Sequence, residues 1–393
     1  MTETITVEDF RLDDPEIQKN PYPFYPLLRE ERPVLKVDFF GQPNWVVTRR
    51  ADITEVLMNP AIYSSATTPV PTVLFADPPE HARLRQIVAP RFTRGAIATL
   101  EPAITDQAQR LVDDIAAAGR CDMIEDFGAR LTVTLIARLL GIADDHVLRL
   151  RTLTKRSGEY ILALRTGKTP SPQAKQANSA IVDFMGDIFG QKNFSADGVM
   201  ALLSAAQERG DLSLQESIQY AVLLFIAGHS TTTNLIGNAA FLLAQNPSCL
   251  DRIAAEPEFV LPFIEEVLRT RPSFHRIQRI TSRETTLGGV TLPKGALIRV
   301  MLGAANRDPD FFTDPEDFDP DARRRAHVAF GQGIHTCLGN LLARLEAKIA
   351  LTLLARRFSA IRLDPDRPAE PLAGGTMNEF GFEYLPVILT PRS

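Results

Sequence analysis

FGQGIHTCLGNLLARLE, residues Phe330 to Glu346, is the stretch on which the reading turns. Gly331 and Gly333 stand just before Cys337, and glycine lets a backbone turn sharply and come close to a flat ligand. From about Leu338 to near Phe358 the apolar residues recur at helical spacing, so a helix is expected directly after the cysteine. Its free N–H groups and positive dipole end would then face the sulfur. Such surroundings lower a thiol pKa and favour the thiolate. One cysteine ahead of one helix is more often a buried structural residue, so the rest of the chain has to decide.

The chain has 393 residues, 45% hydrophobic and 23% charged, which is a globular composition with a core large enough to enclose a prosthetic group. Its 43 basic and 48 acidic residues leave a net charge of -5, which argues against a nucleic-acid partner. The three cysteines, Cys121, Cys249 and Cys337, form no disulfide framework and are spaced too widely for a local zinc site. A reducing compartment is expected. The opening MTETITVEDFRLDDPEIQKNP is polar and acidic, unlike a signal peptide. The most apolar stretch, Tyr220 to Ala244, is broken by a polar block from Gly228 to Asn234, unlike a membrane span. A cytoplasmic protein without a membrane anchor is expected. No repeat or Gly/Ser linker divides the sequence, so one domain over 1–393 is expected.

VLKVDF and NWVVT flank Gly41-Gln42-Pro43 as a β-hairpin. From Asp77 to about Arg271 the periodicity is mostly helical. TTLGGVTLPKGALIRVML reads as a short strand pair with turns at Gly288-Gly289 and Pro293-Lys294-Gly295. NRDPDFFTDPEDFDP cannot be regular helix, and EFGFEYLPVIL can close a small sheet. The class is mainly α with small peripheral β-sheets.

The spacing Phe330-Gly331-x-Gly333-x-His335-x-Cys337-x-Gly339 resembles the cysteine-ligand loop of the cytochrome P450 family at every fixed position. The resemblance implies the P450 fold and a soluble bacterial-type haem-thiolate monooxygenase. Cys337 would be the proximal ligand of a haem b iron, with Phe330 beside the sulfur and Gly331 and Gly339 shaping the loop. A thiolate there pushes electron density onto the iron and favours O–O cleavage. AVLLFIAGHSTTTNLIGNAAFLL, residues 221–243, looks like the family's oxygen-binding helix. Ala227 and Gly228 would leave room beside the haem, and Thr231 would hold a water and relay protons. Gly beside Ser and Thr also tolerates a local break in the helix. Leu223, Ala227 and Thr231 share one face. The family usually carries Asp or Glu before the threonine, whereas this chain has Ser230. Serine passes a proton along but does not supply one. A Ser230 and water relay is therefore expected, with His229 turned away.

Glu266-Val267-Leu268-Arg269 matches the family's Glu-x-x-Arg motif, with Arg323 the expected third partner. His81, Arg85, Arg279 and His335 match the positions that bind the haem propionates. Val70, Val73, Phe75, Leu223, Ile226, Ala227, Phe274, His275, Ile277, Met377 and Phe380 fall in segments resembling the variable pocket. Their mostly apolar character implies a small or medium hydrophobic substrate, with His275 or Arg276 able to orient a polar group. With no flavin or iron–sulfur motif, electrons would come from a small ferredoxin, attracted by Arg91, Arg94, Arg323, Arg324, Arg325, Arg344 and Lys348. The expected protein is a monomer using O2. A peroxide-driven haem enzyme and a non-catalytic haem binder or sensor are the alternatives.

Overall fold

The computed structural model describes residues 5–67, 72–153, 169–322, 325–372 and 378–392. The chain forms two compact units. One comprises Met1–Arg83, Glu265–Cys337 and Leu372–Phe380; the other comprises Leu84–Ile264, Leu338–Pro371 and Gly381–Ser393. Each gathers three separate stretches, so no single cut in the sequence parts them.

The first unit is built on a five-stranded sheet in the order Val34–Phe39, Gln42–Val47, Leu297–Met301, Arg276–Thr281, Tyr63–Ser64. The first two strands form the expected hairpin, but its turn is Phe40-Gly41, with φ of 51° and 76°. Two left-handed residues give a turn whose twist matches the strands. Gln42 and Pro43, read from sequence as turn residues, instead begin the second strand, opposite Phe39 and Asp38. Thr285–Leu287 and Val290–Leu292 pair about Gly288-Gly289 as expected. Leu297–Met301 leaves that hairpin to run parallel to Gln42–Val47 and antiparallel to Arg276–Thr281. Its alternate residues Ile298 and Val300 enter a core with Val47, Ile53, Val56 and Tyr63, and this burial fixes its place in the sheet.

The second unit is mostly helical. Glu101–Ala118 and Ala129–Leu140 each end on a left-handed glycine, Gly119 and Gly141. The central helix runs without a break from Leu214 to Gln245, opened by a capping box between Ser213 and Glu216. The local break that its Gly-His-Ser-Thr block would tolerate does not occur. Gly228 and Gly237 let this helix approach its neighbours: a Cβ on either would lie 2.5 Å from Ile136 Cδ1 or Ile124 Cδ1. The C-terminal helix spans Asn340–Arg357, two residues shorter at its start than expected, because Leu338 and Gly339 form a turn. It leads into Phe358–Leu363, which pairs with Pro386–Pro391 and through it with Arg120–Asp122. Among the described residues no helix is long and apolar enough to cross a membrane.

Glu346, on the C-terminal helix, is 2% exposed, and its Oε2 has no hydrogen-bond partner among the described residues. Burial alone lifts its pKa well above the ordinary carboxyl value. The unfolded chain loses this proton near pH 4.5, whereas the folded chain keeps it. Stability therefore falls as pH rises between the two pKa values. Glu346→Gln removes that loss. Denaturant unfolding from pH 5 upward is expected to show the variant gaining on the parent by up to about 1.4 kcal/mol per pH unit. A gap that stays constant with pH would contradict this account.

Candidate haem-thiolate site

The cysteine loop lies in the first unit. Gly331 and Gly333 adopt φ of 69° and 74°, and the loop closes where the Cys337 N–H donates to the Phe330 carbonyl at 2.9 Å. Phe330 and Cys337 are thus joined through their backbones. Thr336 N–H and Oγ1 both donate to the Gly333 carbonyl, at 3.1 and 2.8 Å. Cys337 is half-buried, unlike the buried Cys121 and Cys249. The glycines differ in what they do. A Cβ on Gly333 would lie 2.5 Å from the Leu57 carbonyl oxygen, whereas Gly339 has φ of −84° and open space.

The loop stands on a buried ion pair. Arg269 Nε and Nη2 donate to Glu266 Oε2 and Oε1 at 2.8 and 2.7 Å. Arg269 also donates to the carbonyls of Asn306, Pro315 and Asp317, and Glu266 Oε1 accepts the Asp319 N–H at 3.0 Å. Arg323, the expected third partner, lies outside the described residues. Sequence reading sought a side chain there; among the described residues the pair holds the meander through its backbone. Asn306, fully buried, then accepts the Val328 N–H on Oδ1 at 2.8 Å, and Arg50 Nη2 donates to the Ala326 carbonyl at 2.9 Å. Neither residue has a sequence signal pointing to the cysteine.

Of the expected propionate donors, His81 is buried with its ring 4.2 Å from that of His335. Arg279 is also buried, and among the described residues its guanidinium hydrogen-bonds only to the Gln278 carbonyl, at 2.7 Å. Burial pushes its pKa down to about 10, with Asp77 opposing, so it stays a cation at neutral pH. Arg85, one helical turn beyond His81, is half-buried in the second unit. A half-buried thiol on a tied loop, a histidine pair and a buried cation with donors to spare make a donor set that suits a thiolate-bound haem with two carboxylates.

On the central helix, Leu223, Ala227 and Thr231 form a stripe that is half-buried or exposed, while Leu224, Phe225, Thr232 and Thr233 are buried. Thr231 Oγ1 donates to the Ala227 carbonyl at 3.0 Å and Ser230 Oγ to the Ile226 carbonyl at 3.4 Å. Gly228 corrects the expectation: its missing Cβ faces Ile136, so its smallness serves helix packing. His229 meets Thr132 Oγ1 at 2.9 Å, and Thr132 Oγ1 meets Thr233 Oγ1 at 2.8 Å. Burial lowers the His229 pKa to about 4, so it is no proton donor at neutral pH.

The pocket expectations divide. Val73, Phe75, Ile226, Phe274 and Ile277 are half-buried, while Val70 and Met377 lie outside the described residues. His275 is a correction. It is buried, its ring nitrogens lie 3.1 and 2.9 Å from the Tyr22 and Tyr25 hydroxyls, and its ring stacks on buried Phe380 at 4.1 Å. Its polar atoms are engaged in the interior, and burial drives its pKa well down. Arg276 is also buried, its guanidinium 5.7 Å from the Phe39 ring. Of the basic residues, Arg94, Arg325 and Lys348 are exposed. Arg91 lies 3.6 Å from Asp197, Arg344 donates to Asn340 at 3.1 Å, and Arg324 lies outside the described residues.

These features fit a haem-thiolate protein, and comparison with known proteins gives the family. Residues 173–382 match the family model "Cytochrome P450". The vitamin D(3) 25-hydroxylase of Pseudonocardia autotrophica is 32% identical, over 95% of each chain. The biotin biosynthesis cytochrome P450 of Bacillus subtilis is 31% identical over 95% of this chain and 97% of that one. The crystal structure of CYP109E1 from Bacillus megaterium in complex with testosterone superposes with a TM-score of 0.86 at 31% identity, covering 95% and 99% of the two chains. The chain belongs to the cytochrome P450 family and is a haem monooxygenase of that family.

The two loop glycines yield a paired test. Gly333→Ala drives a Cβ into a backbone carbonyl at a left-handed φ, whereas Gly339→Ala meets nothing. Gly333→Ala is expected to lower stability by about 1–3 kcal/mol, with loss of bound haem. Gly339→Ala should stay within about 0.5 kcal/mol of the parent. Thermal unfolding and haem content per chain check both.

Proposed function

We propose that this chain is a cytoplasmic, monomeric monooxygenase that inserts one oxygen atom of O2 into a small or medium hydrophobic molecule, with electrons from a separate small ferredoxin. The observation that carries this is Cys337, half-buried at the end of a loop tied back to Phe330. His81, His335, Arg279 and Arg85 would bind the carboxylates of a haem b. The haem, when bound, supplies the oxygen chemistry, and the protein supplies binding, orientation and control of water. Half-buried Leu223, Ile226, Val73, Phe75, Phe274 and Ile277 support an apolar substrate. Exposed Arg94, Arg325 and Lys348 support an acidic electron donor, whose docking would weaken with salt.

Proton movement falls to the hydroxyls. Thr231 is held firmly to its own helix, whereas the 3.4 Å contact from Ser230 is at the edge of a hydrogen bond. In this role the Ser230 Oγ–H turns from the Ile226 carbonyl to a water, handing on its proton while accepting another. The missing acid also favours a second reading, in which hydrogen peroxide replaces O2 and the electron donor.

Two measurements test these roles. The ferrous carbonyl adduct is expected to absorb as a thiolate complex, and Cys337→Ala should lose that band together with turnover. With a surrogate ferredoxin and its reductase, Ser230→Ala should lower the fraction of electrons recovered in product by about tenfold, within the range of general acid–base effects. Unchanged coupling removes Ser230 from proton delivery, and equal turnover with peroxide alone favours the second reading.

A further inference from the structure

We propose that Glu265 and His327 form a positioning pair that sets the conformation of the cysteine loop and, through it, the donor strength of Cys337; this rests on the reading of Cys337 as the iron ligand. His327 opens the loop, and its side chain is 8% exposed. The Ala329 N–H donates to His327 Nδ1 at 3.2 Å. A backbone amide can only donate, so Nδ1 presents its lone pair, and the proton of the neutral ring sits on Nε2. Nε2 lies 3.1 Å from Glu265 Oε2, a carboxylate that can only accept. The surroundings thus select one tautomer. Glu265 directly precedes the Glu266 that pairs with Arg269, so the carboxylate is delivered by the helix that anchors the meander.

The fixed imidazole in turn fixes the peptide between Val328 and Ala329, whose N–H it receives. One residue further along, the Phe330 carbonyl accepts the Cys337 N–H at 2.9 Å. The Phe330 ring lies 6.1 Å from the His327 ring. A continuous path therefore runs from the Glu265 carboxylate through the ring, the Ala329 amide and the Phe330 carbonyl to the cysteine backbone. Neighbouring residues have other anchors: Arg50 holds the Ala326 carbonyl and Asn306 holds the Val328 amide. Neither replaces His327, because neither bonds to Ala329 in this arrangement. If Nδ1 carried a proton, it would face the Ala329 N–H donor to donor, and the peptide would have to turn. The pair is thus a positioning device, touching neither iron nor substrate, for a sulfur whose donor strength depends on how its loop is held.

The test uses the haem-loaded full chain and two variants. His327→Leu removes both ring nitrogens. His327→Asn keeps an acceptor near the Nδ1 position, able to receive the Ala329 N–H. The readouts are the fraction of the ferrous carbonyl adduct with a thiolate-type band, the rate at which that band is lost, and the iron reduction potential. His327→Leu is expected to lose the band about five to ten times faster, the ratio one lost hydrogen bond gives, and to shift the potential upward. His327→Asn should recover most of both. If the two variants behave alike, or if Leu leaves band and potential unchanged, the positioning role is overturned. Should His327→Leu fail to fold, selective ¹⁵N labelling of histidine in the parent carbonyl protein decides: an Nε2–H tautomer at His327 supports the pair, and Nδ1–H overturns it. A parent adduct of the histidine-ligated type would instead remove the thiolate reading, and this role with it.

Discussion

Taking Glu266 and Arg269 out of water is unfavourable by several kcal/mol for each ion, and their mutual attraction offsets this only when the remaining donors and acceptors are met. Here they are. Arg269 spends all five of its N–H donors, two on Glu266 and three on the carbonyls of Asn306, Pro315 and Asp317. The stretch that receives them, rich in Pro and Asp, has no strand or helix to satisfy its backbone. One guanidinium therefore stands in for a ladder of hydrogen bonds, which a lysine with three donors at a point could not do. Asn306 passes the restraint on, its carbonyl held by Arg269 and its side chain holding Val328 at the base of the cysteine loop. The thiol is placed by a chain of polar contacts that begins at this buried pair.

Much of this architecture was legible because it is written in local patterns. Helical periodicity gave the central and C-terminal helices, and two short apolar runs flanking a glycine-containing turn gave the hairpin of Val34–Phe39 and Gln42–Val47. What stayed hidden depends on contacts distant in sequence. Leu297–Met301 looks like the continuation of the hairpin before it, yet it pairs with Gln42–Val47, some 250 residues earlier. Nothing in its own residues distinguishes the two partnerships. In the same way, the motif Glu-x-x-Arg is visible in sequence while the carbonyls that complete it are not, since every residue has one.

The site shows the same division. The residue types of the cysteine loop identify the chemistry because few other uses require two glycines, a histidine and a cysteine at that spacing. Direction is another matter. Gly228 reads as space for a ligand and turns out to be space for Ile136. His275 reads as a polar group in an apolar pocket and is instead held between two tyrosine hydroxyls in the interior. Sequence gives the chemistry of a side chain and its approximate face, but a few tens of degrees decide between a cavity and a neighbouring helix.

The polar block of the central helix brings these threads together. Seven residues, Gly228 to Asn234, interrupt an otherwise apolar run. Packing uses some of them: Gly228 admits Ile136, while His229 and Thr233 share Thr132 across to the next helix. Ser230 and Thr231 stay on the less buried side, each bonded back to a carbonyl of its own helix. A hydroxyl so bonded satisfies a helix carbonyl without needing an outside partner, and it retains lone pairs for a visiting water. Serine at position 230 thus introduces no buried charge where an acid would need a counterion or a shifted pKa. The absence of the acid simplifies the electrostatics of the helix, and in the proposed mechanism the supply of protons falls to water.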